Sequence, residues 1–488
     1  MQVHSRAVSV SMTSIMRRRF LSMKFVSLCC VFSLWHVGLM ADPTVSNFFS
    51  EISVLSRELL AIDWVLPQGG DGVALTRSVH LDDWAFAGSP DDWPTGGSNA
   101  VVSIGGDEQG AFRLEASCRG QVRDLVFQQQ LSRFLIGILL ANAGITGITP
   151  AYDVAIYRVT YDTFDHRRIS TRASGALCIP LGLSTAPVIS LQHGTIYERL
   201  DAPSVALSLE QSLGIAVASE GYIAVQPDYL GLGTNSPGLH PYVHARSSAV
   251  ASIDMLRASL SVVATVPGAN TNGNLFLAGY SQGGHTTLAM LREIEAHHSA
   301  EFNVTACAPM AGPHDLSGVM HDVMLSNANY ASPAYLPYTL LGLNQVYGIF
   351  ASPDEVLAPP YDTTIPPLFD GATPSSTINA ALPSVPRQII ATNFLADFES
   401  NTNNVVWAVL RANDTWRGWV PQVPVRFIHC AADGTVPVAN SHVAMSNLVA
   451  AGATRISFFD PSPASGHGDC ALPAFLSAKS WFDSLNTP

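Results

Sequence analysis

Two rhythms of apolar residues run along this chain. Short apolar runs, suited to strands buried on both faces, alternate with stretches where apolar residues recur every three or four positions, as on one side of a helix. The runs Tyr152–Tyr161 and Ser174–Ile179 predict a hairpin-like pair of strands with polar residues between them. Pro187–Leu191, Tyr222–Val225, Asn274–Tyr280, Asn303–Pro309, Pro424–Cys430 and Arg455–Phe459 predict six more. Helical spacing falls between them at Val205–Ala218, His244–Val263, Thr286–Glu295 and Ala439–Ala450, and a last helix is predicted over Pro473–Leu485. Strands separated by helices pair in parallel, so the pattern predicts an α/β fold: a mostly parallel eight-stranded sheet with helices on both faces. Asn274–Tyr280 is the fifth of these strands.

Three stretches stand outside the alternation. Arg123–Ala143 carries Leu125, Val126, Leu131, Phe134, Leu135, Ile138 and Leu139 at helical spacing. Asn47–Ile62 also reads as helical, inside an N-terminal extension, residues 42–115, whose remainder is rich in Gly, Asp, Pro and Trp and predicts no definite structure. Between the sixth and seventh strands lies a long excursion, about residues 315–420, rich in Pro, Tyr, Asn and Leu. An insertion above the strand ends is expected to cap a substrate pocket.

Residues 1–41 hold five basic residues (Arg6, Arg17, Arg18, Arg19, Lys24) and no acidic one, then an apolar run from Phe25 to Met40 and Ala41 before Asp42-Pro43. Such a segment predicts a secretory signal peptide cleaved near Ala41, with translation starting at Met1 or at Met12, Met16 or Met23. The run is short for a spanning helix, and an acidic residue follows it. The chain is thus expected to be secreted, extracellular or periplasmic. Without that segment 20 basic residues face 38 acidic ones, a charge near −18, which excludes an electrostatic footprint for nucleic acid.

The sharpest chemical signal is Gly279-Tyr-Ser281-Gln-Gly283, lying between the fifth strand and a helix. Strand, tight turn and helix in that order form a nucleophile elbow, which needs Gly279 and Gly283 small and presents Ser281 as the nucleophile. A serine hydroxyl becomes reactive when an oriented base takes its proton. In strand–helix folds of this kind the acid and then the base follow the serine, each on a loop after a strand. Asp433 follows the strand Pro424–Cys430, and His467, flanked by Gly466 and Gly468, follows Arg455–Phe459. Asp460, Asp469 and His285 are weaker candidates for these roles. The oxyanion hole needs two backbone donors. Gln282, next to the nucleophile, supplies one; Thr195, after Gly194 in the loop behind the third strand, supplies the other. This chemistry needs no cofactor or metal.

Without the signal segment five cysteines remain, Cys118, Cys178, Cys307, Cys430 and Cys470. Cys430 stands three residues before Asp433 and Cys470 three after His467. A disulfide between them would pin the acid and base loops together; two separate buried thiols are the alternative.

Gln192-His-Gly-Thr195, Pro227-Asp-Tyr-Leu-Gly-Leu-Gly233, His240-Pro-Tyr242, Gly279-Tyr-Ser-Gln-Gly-Gly284, Ala311-Gly-Pro-His-Asp315, Asp433-Gly-Thr-Val-Pro437 and Gly466-His-Gly468 occur in this order. Together they resemble secreted bacterial α/β-hydrolases related to the fungal secretory lipases. The resemblance spans Cys118 to the C-terminus and implies an α/β-hydrolase domain over residues 116–488, with a cap at about 315–420. It implies a lipase or carboxylesterase and the same roles for Ser281, Asp433 and His467. Asp228 and Tyr229 would then lie beside the pocket, with Asp228 either touching substrate or tying its loop. The departure is Cys430-Ala-Ala432, where relatives often carry Gly after the preceding His.

The expected partner is a small-molecule or lipid ester, which leaves room for transient contact with a lipid interface. Two other readings keep the same scaffold: a serine exopeptidase, and a binding protein without catalysis. Acyl-chain length and oligomeric state have no signature in the chain.

Overall fold

A computed structural model describes residues 119–486, apart from 168, 235–237 and 267; before residue 119 it describes the backbone of strands. The signal-peptide segment falls largely, and Cys118 wholly, outside the described residues. The chain divides into two units, residues 1–119 with 162–171, and residues 120–161 with 172–488. In the first unit the stretch expected to be helical carries two strands, Phe49–Val54 and Leu59–Trp64, paired antiparallel. Ile52 and Val54, then Leu60, Ile62 and Trp64, recur at every second position, a period that suits a strand. No helix among the described residues is long and apolar enough to cross a membrane.

The second unit is built on one nine-stranded sheet. Its strands are β1 Val122–Leu131, β2 Val154–Phe164, β3 Ser170–Pro180, β4 Ala186–Gln192, β5 Ile223–Pro227, β6 Thr271–Tyr280, β7 Val304–Met310, β8 Val425–Ile428 and β9 Ile456–Phe459. They lie in the order β1-β2-β3-β5-β4-β6-β7-β8-β9, and β4 to β9 run parallel. The extra strand is β1, from the stretch expected to be helical. It pairs antiparallel with β2, and only α1, Arg133–Asn142, is helical there, started by the Ser132 side chain accepting from Leu135 N. The cross-strand partner outweighs the local spacing, which was ambiguous over so short a run. The elbow strand is therefore sixth in chain order.

Helices cover both faces. On one side Leu275 and Leu277 of β6 join Val188, Ile223 and Val225 in a core closed by α3 (Ala245–Val263), α4 (Gln282–Glu293) and a later helix, Ala439–Ala450. On the other, Phe276 and Ala278 meet Ile189, Leu191 and Ala224 under α1, α2 (Leu209–Ser219) and the final helix, His467–Leu485. Successive side chains of a strand point to opposite faces, so strands buried on both sides read as continuous apolar runs. Between β7 and β8 the chain makes a helical excursion, including α5, Tyr335–Tyr347, with its own core of Leu316, Met320, Leu336, Leu340, Ile389 and Phe398. Tyr197, Tyr242 and Val436, from loops at the sheet edge, belong to that same core.

Candidate active site

The elbow is formed where β6 ends. Ser281 sits at φ 59° and ψ −122°, a left-handed backbone that side chains other than glycine rarely adopt. Its N–H donates to Met310 O of β7 at 2.9 Å, and α4 starts directly after it. The register pairs Gln192 with Gly279, so the end of β4 runs alongside the turn. A Cβ on Gly283 would lie 2.0 Å from Gln192 O, and one on Gly279 2.5 Å from Gly283 O. Crowding by β4 and by the turn itself is what makes both positions glycine. Gly194 packs beside the nucleophile, its Cβ position 3.9 Å from Ser281 Cβ.

Ser281, Asp433 and His467 come together. His467 Nε2 lies 2.9 Å from Ser281 Oγ, and His467 Nδ1 lies 2.6 Å from Asp433 Oδ2. A neutral imidazole with its proton on Nδ1 donates to Asp433 and offers Nε2 to the serine hydroxyl. His467 opens the last helix instead of lying in a loop before it, since helical structure runs from His467 to Leu485. Neither neighbouring glycine is needed for a bend: Gly466 has φ −71°, and Cβ atoms on Gly466 or Gly468 would meet nothing within 4 Å.

Asp433 is held on four sides. Its Oδ1 accepts from Thr435 N and Val436 N, both at 2.9 Å, while Oδ2 accepts from His467 and from His429 Nε2 at 3.1 Å. Burial pushes the carboxyl up, but bonds from His429 and His467, the charge of His467 and the Val436 N–H outweigh it and hold it well below the usual carboxylate range. His429 itself is buried, with Nδ1 2.8 Å from Ser441 Oγ and Nε2 2.8 Å from Val436 O. Those neighbours assign its proton to Nε2, aimed at Asp433. The competing acids serve elsewhere: Asp460 accepts from Ala431 N and Ser462 N, and Asp469 lies in the first turn of the last helix. His285 is buried with Nε2 on Asn413 O.

Cys430 and Cys470 form a disulfide, with Cα atoms 6.0 Å apart, while Cys178 and Cys307 are buried free thiols. The bridge joins the stretch just before Asp433 to the first turn of the last helix, and Ala432 N donates to Pro463 O at 3.1 Å to tie the loop at Asp433 to the loop before His467.

The backbone N–H groups of Thr195 and Gln282 have no backbone acceptor among the described residues. Each of these residues is braced by the His240-Pro-Tyr242 motif. Tyr242 OH lies 2.9 Å from Thr195 Oγ1, and Gln282 Nε2 donates to His240 Nε2 at 2.6 Å. His240 Nδ1 reaches Leu230 O at 2.7 Å, so the ring is neutral with its proton on Nδ1; burial pushes the imidazole down to about 3 against that bond. Tyr280 adds a clamp from the elbow, its OH donating to His467 O at 2.5 Å. These buttresses depend on contacts between distant loops, which local spacing does not carry; only the motif order hinted at His240 and Tyr242.

Asp228 and Tyr229 are not among the residues lining the cavity at Ser281, and of the two roles open to Asp228 its contacts serve the tying of its loop. Asp228 is buried, accepting from Ser174 Oγ at 2.5 Å and Ser204 N at 2.8 Å, which ties its loop. Tyr229, also buried, packs on His193 with ring centroids 4.1 Å apart and donates to His193 O. Its carboxylate neighbour is thus spent on structure, and the pair supports the loop behind Thr195.

The family model for secretory lipases matches residues 197–483, which contain Ser281, Asp433, His467, His429 and the His240-Pro-Tyr242 motif. The chain belongs to the secretory lipase family. Among solved structures it is similar to a protein of Legionella pneumophila, 30% identical over 75% of this chain and 98% of that one, with a TM-score of 0.70. It is also similar to LipA of Xanthomonas oryzae, a rice cell wall degrading esterase, at 30% identity over 75% and 96% of the two chains and a TM-score of 0.65. Candida antarctica lipase A in its closed state shares the fold, at 17% identity over 76% and 84% and a TM-score of 0.55. No curated protein matches the chain. Family membership and the esterase neighbour support ester hydrolysis as the activity of this secretory lipase relative.

Proposed function

We propose that the chain is a secreted serine hydrolase that cleaves carboxylic esters through a covalent acyl-enzyme. The observation that carries this reading is the continuous relay Ser281 Oγ to His467 Nε2 at 2.9 Å and His467 Nδ1 to Asp433 Oδ2 at 2.6 Å, opening into an apolar cavity. Ser281 Oγ attacks the ester carbonyl carbon as His467 Nε2 takes its proton. The resulting imidazolium is stabilised by Asp433, whose four hydrogen bonds keep it ionised. The negative oxygen is held by the N–H groups of Thr195 and Gln282, the latter at the positive end of α4. Collapse breaks the bond to the alcohol oxygen, which leaves with the proton from His467. Water then gives its proton to His467 and attacks the acyl-serine, and a second collapse releases the acid and restores Ser281.

The cavity favours esters over peptides with a free amine, because the residues lining it include no carboxylate to hold an ammonium group. Export is supported by the family and by the basic, then apolar, N-terminal segment. The test is hydrolysis of chromogenic esters from acetyl to palmitoyl. Turnover by the wild type that disappears in Ser281→Ala is expected; a folded wild type inert on all of them would end the reading.

A further inference from the structure

We infer that Val243 is a positioning residue for the oxyanion hole: its strained turn, held in place by helix α5, aims the Tyr242 hydroxyl at Thr195. The inference rests on the ester-hydrolase reading above and adds to it how the helical excursion bears on one oxyanion donor.

Val243 has φ 50°. Leu207, Tyr229, Ser281 and Ala311 are the other non-glycine residues with a left-handed backbone among the described residues, and none of them is β-branched. A branched Cβ makes this conformation costly, so it persists only where the surroundings hold it. Pro241 O accepts from His244 N at 3.0 Å, closing a tight turn with Tyr242 and Val243 at its centre. Val243 is the third residue of that turn, where a left-handed angle ordinarily selects glycine or asparagine.

Both ends of the turn are fixed. On one side Tyr242 N donates back to His240 O at 2.7 Å, and the His240 ring receives the Gln282 amide. On the other, His244 caps α3 by accepting from Ser247 N. Between these ends the left-handed angle decides where the Tyr242 ring goes, and its hydroxyl lies 2.9 Å from Thr195 Oγ1.

The helical excursion holds the angle. Val243 is 2% exposed and shares a core with Leu316, Met320 and Leu336. Tyr335, Tyr338 and Gly342 of α5 follow one another at spacings of three and four, which places them on one face of the helix. Tyr338 stacks on Tyr242 with ring centroids 4.4 Å apart and planes within 2°, and Tyr335 stacks on it at 6.1 Å. A Cβ on Gly342 would lie 2.7 Å from Tyr242 N and 3.3 Å from His240 O, so the missing side chain is what lets α5 rest on the turn backbone. A glycine at position 243 would relieve the angle but release the turn to other conformations. The valine side chain ties the turn to the excursion instead, and its burial there offsets the strain.

Losing an oxyanion donor altogether costs about 100- to 1000-fold in kcat; leaving Thr195 in place with a looser brace should cost a part of that, about 5- to 50-fold. The experiment is kcat and KM for 4-nitrophenyl acetate and butyrate, measured on the full chain, on Val243→Gly, on Tyr242→Phe and on the two substitutions combined, with melting temperatures to confirm folding. Val243→Gly should lower kcat by that factor on both esters, with KM moving less than about threefold. In the Tyr242→Phe background no hydroxyl is left to aim, and the same substitution should change kcat less than about twofold. An equal loss in both backgrounds overturns the inference, since Val243 would then act without Tyr242. An unchanged kcat, or an effect confined to KM or to one ester, also overturns it, because Val243 would then be only a wall of the cavity it shares with Ser281. Where Val243→Gly does not fold, Gly342→Ala, which presses a methyl group on Tyr242 N, is read in the same two backgrounds against the same outcomes. A folded wild type that hydrolyses neither ester removes the underlying reading instead.

Discussion

Replacing His429 by alanine should cripple the site without touching the three residues that react. The variant loses the Nε2–H that reaches Asp433 Oδ2 at 3.1 Å and Val436 O at 2.8 Å, and the acceptor for Ser441 at 2.8 Å. Asp433 keeps Thr435 N and Val436 N on Oδ1 and His467 on Oδ2. A hydrogen bond to a buried charge contributes about 1.5–3 kcal/mol, and the space left by a fully buried ring adds to the loss. Unfolding free energy should therefore drop by roughly 2–4 kcal/mol. In the protein that remains folded the Asp433 loop relaxes and His467 loses alignment; a displacement of about 1 Å costs on the order of a hundredfold in rate, so kcat should fall about 10- to 100-fold with KM little changed. His429→Gln, which can still donate an N–H, should recover part of each loss. The assay is kcat and KM for 4-nitrophenyl butyrate across pH, beside a urea unfolding curve. A folded His429→Ala protein with unchanged kcat would refute the positioning role.

Three further outcomes follow from the same contacts. Replacing Cys430 and Cys470 together by alanine opens a loop spanning 40 residues, for which chain entropy predicts about 4 kcal/mol of lost stability; the melting temperature should fall steeply while activity at 25 °C falls less, because Ala432 N still ties the loops, and an unchanged melting temperature would contradict this. Tyr242→Phe removes the partner of Thr195 Oγ1, and His240→Ala the partner of the Gln282 amide, so both should lower kcat more than they raise KM; equal effects on a ground-state inhibitor would argue against a role in holding the oxyanion donors. His193, His240, His285 and His314 are buried, and burial lowers each below its ordinary value, His240 to about 3 and His285 to about 4. The unfolded chain then binds more protons below about pH 6.5, so stability present above that pH is lost as pH falls, by about 2 kcal/mol at pH 5 for each of His240 and His285. Glu210, which burial raises to about 7, works the other way, as do Asp228, Glu295 and Asp414, whose carboxyls burial also raises. Melting temperatures should drop between about pH 7 and pH 5, and a flat profile would count against these neutral histidines.

How much of this was readable in the chain depends on how far each contact reaches. Strands β4 to β7 were legible because burial on both faces makes most of each a continuous apolar run, β8 and β9 as short apolar runs near the sheet edge, and Ser281, Asp433 and His467 because their order along the chain mirrors their order along the sheet. Strand β1 was not: Leu125, Val126 and Leu131 fit a helix, and only pairing with β2 makes them a strand. Asp228 could be read either as touching substrate or as tying its loop, and only Ser174 and Ser204, both distant in sequence, decide it by claiming its two oxygens. His429 stands beside Cys430 in every reading of the chain, yet its bond to Asp433 exists only because the loop from Asp433 to Val436 curls back over it. The cavity walls were the least accessible, since Met320, Met324 and Leu336 share a cavity with Ser281 only once the helical excursion has folded on itself.

The central claim is that Ser281 is a nucleophile activated by His467, and covalent labelling tests it most directly. Treating the folded protein with a fluorophosphonate, digesting it and weighing the peptides should find the adduct on Ser281. Ser281→Ala should stay unlabelled and lose more than about a thousandfold of ester hydrolysis, and His467→Ala should label far more slowly. A folded wild type that takes up no label at Ser281, or a Ser281→Ala protein that hydrolyses butyrate esters at the wild-type rate, would contradict it.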